Sequence, residues 1–177
     1  VKYAGWFMSK DRRIGLNLSN SPNWFVQGSF LSPSATEDFV MRRFRGESLH
    51  KVDIRGRVSI PAQFRRVLEE GDPDFKAGLN PSCVLVHNQK SRKCLEGYSI
   101  SSINEVDDLV SRLPRYSRDR EILERMLNAQ STYAQIDDNG RLVLSLKLRQ
   151  FIEIQSEAIL IGMGDKFQVW EPTAYRR

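Results

Sequence analysis

The sequence predicts an α+β fold in which two related β-rich units are joined by a helical segment. The first observation is an internal repeat, because residues 52–65 (VDIRGRVSIPAQFR) match residues 136–149 (IDDNGRLVLSLKLR) at a constant offset of 84 residues. The second is that alternating apolar residues follow the turn residues of each copy, which is typical of a β-strand. The third is a stretch between the copies with apolar residues at helical spacing. Such a repeat indicates two structural units related by approximate symmetry.

Each copy of the repeat begins with a predicted tight turn. Glycine adopts the positive φ that such a turn needs, and an aspartate can accept hydrogen bonds from the turn backbone. An arginine directly after the glycine lies where it can pair with that aspartate. We therefore expect two equivalent structural turns, each followed by a strand and a short helix. Their residues are Asp53, Gly56 and Arg57 in the first copy and Asp137, Gly140 and Arg141 in the second.

The second half of each copy also repeats, with a less certain register. Residues 83–86 and residues 158–161 are short apolar runs that fit buried strands. Residues 93–95 resemble residues 166–169, with Tyr98 and Trp170 as candidate aromatic equivalents, which predicts one more strand in each copy. A unit of about fifty residues buries too little surface to be stable alone, so we expect the two copies to share a core.

The stretch between the copies predicts two helices. Ser102 and Glu105 have the spacing of a capping box, which places the first helix start at Ser102. Pro114 ends this helix, and Ser117 begins the second. The apolar residues on one face of each helix predict packing against the β units; they are Ile103, Val106, Leu109, Val110 and Leu113, then Ile122, Leu123, Met126 and Leu127. The predicted organisation is a first unit at 47–102, a helical connector at 103–130 and a second unit at 131–174.

Composition limits the classes of function. The chain has 177 residues, 40% of them hydrophobic, and no apolar run approaches the roughly 18 residues of a transmembrane helix, so we predict no membrane partner. The net charge of +5 favours a polyanionic partner. Cys83 and Cys94 fall in predicted strands, which favours buried thiols and a reducing compartment.

Basic residues are concentrated around the first turn. Residues 42–66 contain two acidic residues, Glu47 and Asp53, against eight basic ones, namely Arg42, Arg43, Arg45, Lys51, Arg55, Arg57, Arg65 and Arg66. The second turn has Asn139 where the first has Arg55. The shared residues are therefore predicted to maintain the fold, and the unshared basic ones to give the first copy its own function. A basic face carried on strands can contact phosphates and read base edges; the alternative is a solvated basic surface.

The first forty residues lack this pattern. Residues 1–40 are rich in Asn, Ser, Gly and Pro and show no signal peptide. We interpret Met41 as the true start and residues 1–40 as a disordered extension or a start-site artefact. Intact-protein mass spectrometry of the native protein tests this, since a product that carries residues 1–40 would contradict it.

Several segments together resemble one bacterial family, the MraZ regulators. The resemblance covers residues 41–177. It rests on the start at 41–47 (MRRFRGE), the two turns with their Asp-x-x-Gly-Arg pattern, Pro61, and the segment 167–170 (FQVW) near the end. Two such turns at this spacing are specific, whereas a single one would be weak.

The resemblance implies a fold and a function. The fold would be two tandem SpoVT-AbrB-like swapped-hairpin β units with pseudo-two-fold symmetry. Family members form ring-shaped homo-oligomers, bind repeated double-stranded DNA elements upstream of their own division and cell-wall operon, and usually repress it. DNA contact would map onto Arg55 and Arg57, with Arg45 nearby, and the basic residues Arg42, Arg43 and Lys51 extend this set. The implied location is the cytoplasm, at the nucleoid.

Enzymatic readings fit the residues less well. Asp53 and Asp137 could form a carboxylate dyad like that of aspartic proteases, but Ile54 and Asp138 follow where those enzymes have a small hydroxyl residue. We therefore predict no catalytic residues, no small-molecule substrate and no cofactor.

A metal site and two other binding functions were also weighed. Cys83, His87 and Cys94 are metal-ligand types, but the chain has only two histidines and no second cysteine pair, so no metal is predicted. One alternative function is an antitoxin of the same fold that binds DNA and a toxin. The other is a ring-forming scaffold whose basic face contacts something other than DNA.

Overall fold

The two repeats fold into equivalent series of elements. The computed structural model describes residues 43–87 and 93–177, which form part of one compact unit spanning residues 40–177. The first repeat contributes β1 (Glu47–Lys51), β2 (Arg57–Ser59), α1 (Ala62–Glu70), β3 (Ser82–Val86) and β4 (Cys94–Ser99). The second contributes β5 (Ser131–Gln135), β6 (Arg141–Val143), α4 (Leu146–Phe151), β7 (Glu157–Gly162) and β8 (Lys166–Trp170), followed by α5 (Pro172–Tyr175). The predicted α+β class is confirmed.

Most strand pairs join one repeat to the other. The large sheet has six antiparallel strands in the order β1-β7-β8-β4-β3-β5, and β2 pairs with β6 in a separate two-stranded ribbon. The equivalent strands of the two repeats are β1 and β5, β3 and β7, and β4 and β8. When each strand is replaced by its equivalent, the order read from the opposite edge of the sheet is the same. The strand registers also follow this symmetry. Glu47 lies opposite Ile161, and the equivalent residues Ser131 and Val86 lie opposite each other. The two repeats are therefore interleaved and share one sheet.

A cluster of aromatic rings fills the main core. The rings of Phe44, Phe64 and Phe167 are fully buried, with centroids 5.2–5.8 Å apart. Gly97 on β4 leaves the room for this cluster, since a Cβ atom there would lie 2.1 Å from Cζ of Phe167. Residues from both repeats, among them Leu68 and Leu160, complete the cluster. The shared core that each small repeat needs is thus present.

The connector helices cover one part of the opposite face of the sheet. They are α2 (Ile100–Ser111) and α3 (Arg118–Glu124), and a π-helical turn (Arg125–Ala129) continues α3. Ile103, Val110 and Leu127 pack there on Val84, Val86 and Tyr98. Leu109 is 60% exposed and Ile122 is 52% exposed, so the predicted burial of these two side chains is wrong. The helix pair covers only part of the sheet, and the outer edge of each apolar stripe therefore faces solvent.

The first connector helix begins earlier than the capping-box spacing predicts. Ser99, the last residue of β4, is the N-cap and accepts a hydrogen bond from the Ser102 amide at 3.2 Å. The Ser101 amide donates to the carbonyl of Gly71, which holds the first turn of the helix against the end of α1. The expected cap at Ser102 is therefore wrong, because this tertiary contact lets the helix start directly at the strand end. Ser117 caps α3 as predicted.

Candidate nucleic-acid interface

The first turn is closed by the side chain of its own aspartate. Asp53 Oδ1 accepts hydrogen bonds from the amides of Arg55 and Arg57, both at 2.9 Å, and Oδ2 accepts from Arg57 Nε at 2.6 Å. Gly56 has a φ of 82°, and its amide donates to the Asp53 carbonyl at 2.8 Å. The predicted pairing of Arg57 with Asp53 is confirmed, and it uses one edge of the guanidinium.

The second turn repeats this geometry. Asp137 accepts from the amides of Asn139 and Arg141 at 2.9 Å each, and from Arg141 Nε at 2.9 Å. Gly140 has a φ of 70° and donates its amide to the Asp137 carbonyl. The residues shared by the two copies thus hold the same backbone shape in both turns.

Both turn aspartates are stabilised in the charged form. The Arg57 amide, together with the Arg57 guanidinium, holds the pKa of Asp53 below its usual value. Burial would raise the pKa of Asp137, but hydrogen bonds from Arg141 outweigh it and the pKa is again lowered. Each carboxylate is therefore ionised and engaged by its own turn, which leaves neither as a free acid or base for catalysis.

The two turns differ at the positions that face solvent. In the first turn Ile54 is 94% exposed, and Arg55 is exposed beside it. The second turn has Asp138 and Asn139 at these positions. Asp138 accepts a hydrogen bond from Asn80 Nδ2 at 2.7 Å. One turn thus presents an apolar and a cationic side chain, whereas the other presents an anionic and an amide side chain.

The β2–β6 ribbon holds the two turns at its opposite ends. Strand β2 leaves the first turn and β6 leaves the second, and the strands run antiparallel with Val58 opposite Leu142. The carbonyl of Gly56 accepts from the Leu144 amide at 2.8 Å, and the carbonyl of Gly140 accepts from the Ile60 amide at 2.9 Å. Each turn is therefore attached to the far end of the other repeat's strand.

An arginine from each repeat also packs on the other repeat's turn. A Cβ atom built on Gly56 would lie 2.8 Å from Arg149 Nε, and one built on Gly140 would lie 2.5 Å from Arg65 Nη1. Sequence reasoning did not assign these two arginines to the site. The available signal was their match to each other within the repeat.

Three cationic side chains line one groove beside the ribbon. Lys51, Arg57 and Arg141 surround a space of about 570 Å³, together with Asp53 and Glu157. Sequence analysis assigned Lys51 and Arg57 to DNA contact but treated Arg141 only as a turn residue. The structure thus brings a cation of the second repeat to the basic side of the first.

The other predicted contact residues lie elsewhere. Arg43 and Arg45 are exposed and precede β1, whereas Lys51 is the last residue of β1 and Arg55 lies in the turn after it. The length of strand β1 therefore separates the two groups. The carbonyl of Arg45 accepts a hydrogen bond from Gln63, which attaches this segment to α1. Arg42, Met41 and the proposed extension at residues 1–40 lie outside the described residues.

Other kinds of site were sought in the described part of the chain. Among residues 43–87 and 93–177, no group of three His, Cys, Asp or Glu side chains could hold a metal ion. Cys83 and Cys94 are both buried, and burial raises the pKa of the Cys83 thiol to about 12. No helix in these ranges is long and apolar enough to cross a bilayer.

Comparison with known proteins identifies the relatives of this chain. The family model described as "MraZ protein, putative antitoxin-like" matches residues 127–177. A protein of Ruegeria pomeroyi named transcriptional regulator MraZ is 53% identical over 134 residues, which cover 76% of this chain and 80% of that protein. Proteins of the same name are 39% identical in Cereibacter sphaeroides (75% and 82% covered) and 34% identical in Parvibaculum lavamentivorans (76% and 80% covered).

These matches agree with the resemblance carried by the two Asp-x-x-Gly-Arg turns. The named relatives match about three quarters of this chain and about 80% of their own length. The chain therefore belongs to the MraZ family of transcriptional regulators.

Proposed function

We propose that this protein is a sequence-specific DNA-binding regulator that represses its own division and cell-wall operon by binding repeated promoter elements as a ring-shaped homo-oligomer. It would act in the cytoplasm, at the nucleoid, without a cofactor or a small-molecule substrate. The regulator name of its relatives supports a DNA partner. The chemistry of the first turn supports the place of contact.

The observation that carries the proposal is the difference between two turns of the same shape. Asp, Gly and Arg keep the backbone identical, so the exposed positions are free to differ without loss of the fold. In the first repeat they carry Ile54 and Arg55, and in the second Asp138 and Asn139. An anionic polymer is attracted to the first pair and repelled by Asp138.

The groove beside the ribbon extends this contact surface. Lys51, Arg57 and Arg141 place three cations in a groove large enough for a sugar-phosphate segment. Arg57 donates to Asp53 through Nε, which leaves the outer edge of its guanidinium for a phosphate or a base. An exposed turn at the end of a two-stranded ribbon has dimensions that fit a major groove.

The strand pairing supports the finer fold assignment. Exchange of strands between the repeats, with a sheet order that is the same from both ends, is what two swapped-hairpin units with pseudo-two-fold symmetry would give. We therefore propose the SpoVT-AbrB-like arrangement, with units at 47–102 and 131–174 joined by the connector at 103–130. Several subunits on tandem elements would gain affinity through avidity.

Fluorescence anisotropy of the full chain tests the proposal. The probes are duplex DNA from directly upstream of its own gene and a scrambled duplex, each across a salt series. A preference for the upstream duplex at physiological salt is expected. Equal and steeply salt-dependent binding to both duplexes, or no binding, would contradict it and favour the scaffold function.

Variants of the two turns locate the contact. Arg55→Ala is expected to weaken upstream binding by about 1–3 kcal/mol if Arg55 reads a base, with less effect on scrambled DNA. Asn139→Ala, at the equivalent position of the other turn, is the matched control and is expected to bind normally. If Arg55→Ala lowered affinity for both duplexes equally, Arg55 would be a phosphate contact rather than a base contact.

A further inference from the structure

We infer that Arg149, from the second repeat, is a positioning residue that sets the orientation of the DNA-contacting turn of the first repeat. The expected effect of Arg149 on DNA binding rests on the proposed function. Its expected effect on the stability of the turn rests on geometry alone. Arg65 would do the same for the second turn, which makes it a built-in control.

The guanidinium of Arg149 lies directly on the backbone of the first turn. A Cβ atom on Gly56 would be 2.3 Å from the Leu144 carbonyl oxygen, 2.8 Å from Arg149 Nε and 3.1 Å from Arg149 Cζ, so the absence of a side chain admits both the strand of the second repeat and its arginine. Nη1 of Arg149 also donates to the carbonyl of Ile54, with a long distance of 3.4 Å. The arginine thus contacts the turn at two points, and one of them lies next to Arg55.

The hydrogen bonds within the turn fix its shape, and the ribbon holds the end that enters β2. Those of Asp53 to Arg55 and Arg57 are internal to the turn. Its links to the second repeat include the pairing of Arg57 with Val143 at the start of the ribbon, the bond from the Leu144 amide to the Gly56 carbonyl, and the Arg149 contact. The first two hold the end of the turn that enters β2, whereas Arg149 contacts the carbonyl of Ile54 at its tip. The Arg149 contact therefore sets the angle at which Ile54 and Arg55 leave the ribbon.

The Nε atom of Arg149 is more buried than expected for an arginine that only faces solvent. Its Nε is buried and has no hydrogen-bond partner among the described residues, and Nε of Arg65 is in the same state. An unpaired buried donor is unfavourable, so another interaction must offset it. The close contact of the guanidinium with Gly56 and its bond to the Ile54 carbonyl are the interactions present there, and a flexible lysine would not reproduce this planar group.

Hydrogen exchange provides a readout that does not depend on DNA. In Arg149→Leu, the amides of residues 54–57 are expected to exchange faster while those of 138–141 stay protected. Arg65→Leu should give the reverse pattern. If the two variants affected both turns equally, or neither turn, the inference would be overturned.

DNA binding provides the second readout. Arg149→Leu is expected to lower affinity for the upstream duplex by about 5- to 150-fold, the range for the loss of one base contact, and to lower affinity for scrambled DNA less. Arg65→Leu should keep the preference of the parent protein. Arg149→Lys retains the charge and tests its role, because full rescue by lysine would show a long-range charge effect and refute positioning. Thermal melting of all three variants confirms that they are folded.

The two proposals can fail separately. If the parent protein shows no preference for the upstream duplex, the proposed function fails, and the exchange pattern still decides the role of Arg149. If the parent shows the preference and Arg149→Leu retains it, the positioning inference alone is wrong.

Discussion

Replacement of Glu96 by alanine would break a polar network in the middle of the large sheet. Glu96 is only 8% exposed and accepts hydrogen bonds from Lys166 Nζ at 2.8 Å, from the Tyr98 hydroxyl at 2.8 Å and from Gln168 Nε2 at 3.2 Å. Glu96 lies opposite Gln168, in the pair at the centre of β4 and β8. The network therefore joins the two repeats at the centre of the large sheet.

The structure sets the size of the expected effect. Loss of one partner from a buried ion pair destabilises a protein by about 3–5 kcal/mol. The Lys166 side chain is 26% exposed and can turn toward solvent, so the lower end of this range applies, about 3 kcal/mol. For a chain of this size, that corresponds to a fall in Tm of about 6–12 °C. Glu96→Gln keeps the shape and an acceptor, and a smaller loss is expected.

Urea unfolding of Glu96→Ala measures this effect, and a double-mutant cycle tests its cause. The cycle contains Glu96→Leu, Lys166→Met and the double variant, which removes both charges and is expected to recover most of the loss. The reasoning would be refuted if Glu96→Ala cost less than about 1 kcal/mol, because the pair would then behave like an exposed one.

Three further predictions concern stability and the turns. Gly97→Ala should destabilise the protein by about 1–3 kcal/mol in urea unfolding, because the new methyl group would overlap Phe167; no loss would show that the ring can move aside. Burial raises the pKa of Glu96, but its hydrogen bonds to Lys166, Tyr98 and Gln168 outweigh this and hold the pKa below the usual value of a glutamate. Its stabilising contribution should therefore be complete above about pH 4.5 and disappear as the pH falls further, so that the stability gap to Glu96→Gln narrows in acid; a gap independent of pH would contradict this. Asp138→Ile combined with Asn139→Arg should raise affinity for duplex DNA in anisotropy, and unchanged binding would count against a role for these exposed positions.

The turns were predictable from sequence because their chemistry is local. The residues that close the first turn lie between Asp53 and Arg57, and the same set recurs after a fixed offset. Alternation of apolar residues likewise indicates strands, since side chains on a strand point to opposite faces in turn. The choice of strand partners is not local. Pairing of β1 with β7 and of β3 with β5 follows from packing between repeats, and no short segment encodes it.

The register of the last strand in each repeat shows the same limit. The sequence comparison aligned Lys93 with Lys166, whereas the pairing makes Cys94 equivalent to Lys166, because Cys94 lies opposite Trp170 and Tyr98 opposite Lys166. Arg149 was missed for a related reason, since its contact with Ile54 joins residues 95 positions apart.

Fusion of two repeats in one chain allows the two ends of the ribbon to differ. In a symmetric dimer of single repeats, any change in one turn would appear in both. Here the residues that close the turn are kept in both copies, while Ile54 and Arg55 face solvent at one end and Asp138 and Asn139 at the other. A polyanion drawn to the basic end is repelled at the acidic end, so the ribbon has one favourable orientation on such a partner. The shape of each turn depends on its Asp, Gly and Arg, which are the same in both repeats. Because the exposed residues do not determine that shape, they can differ between the two ends of the ribbon.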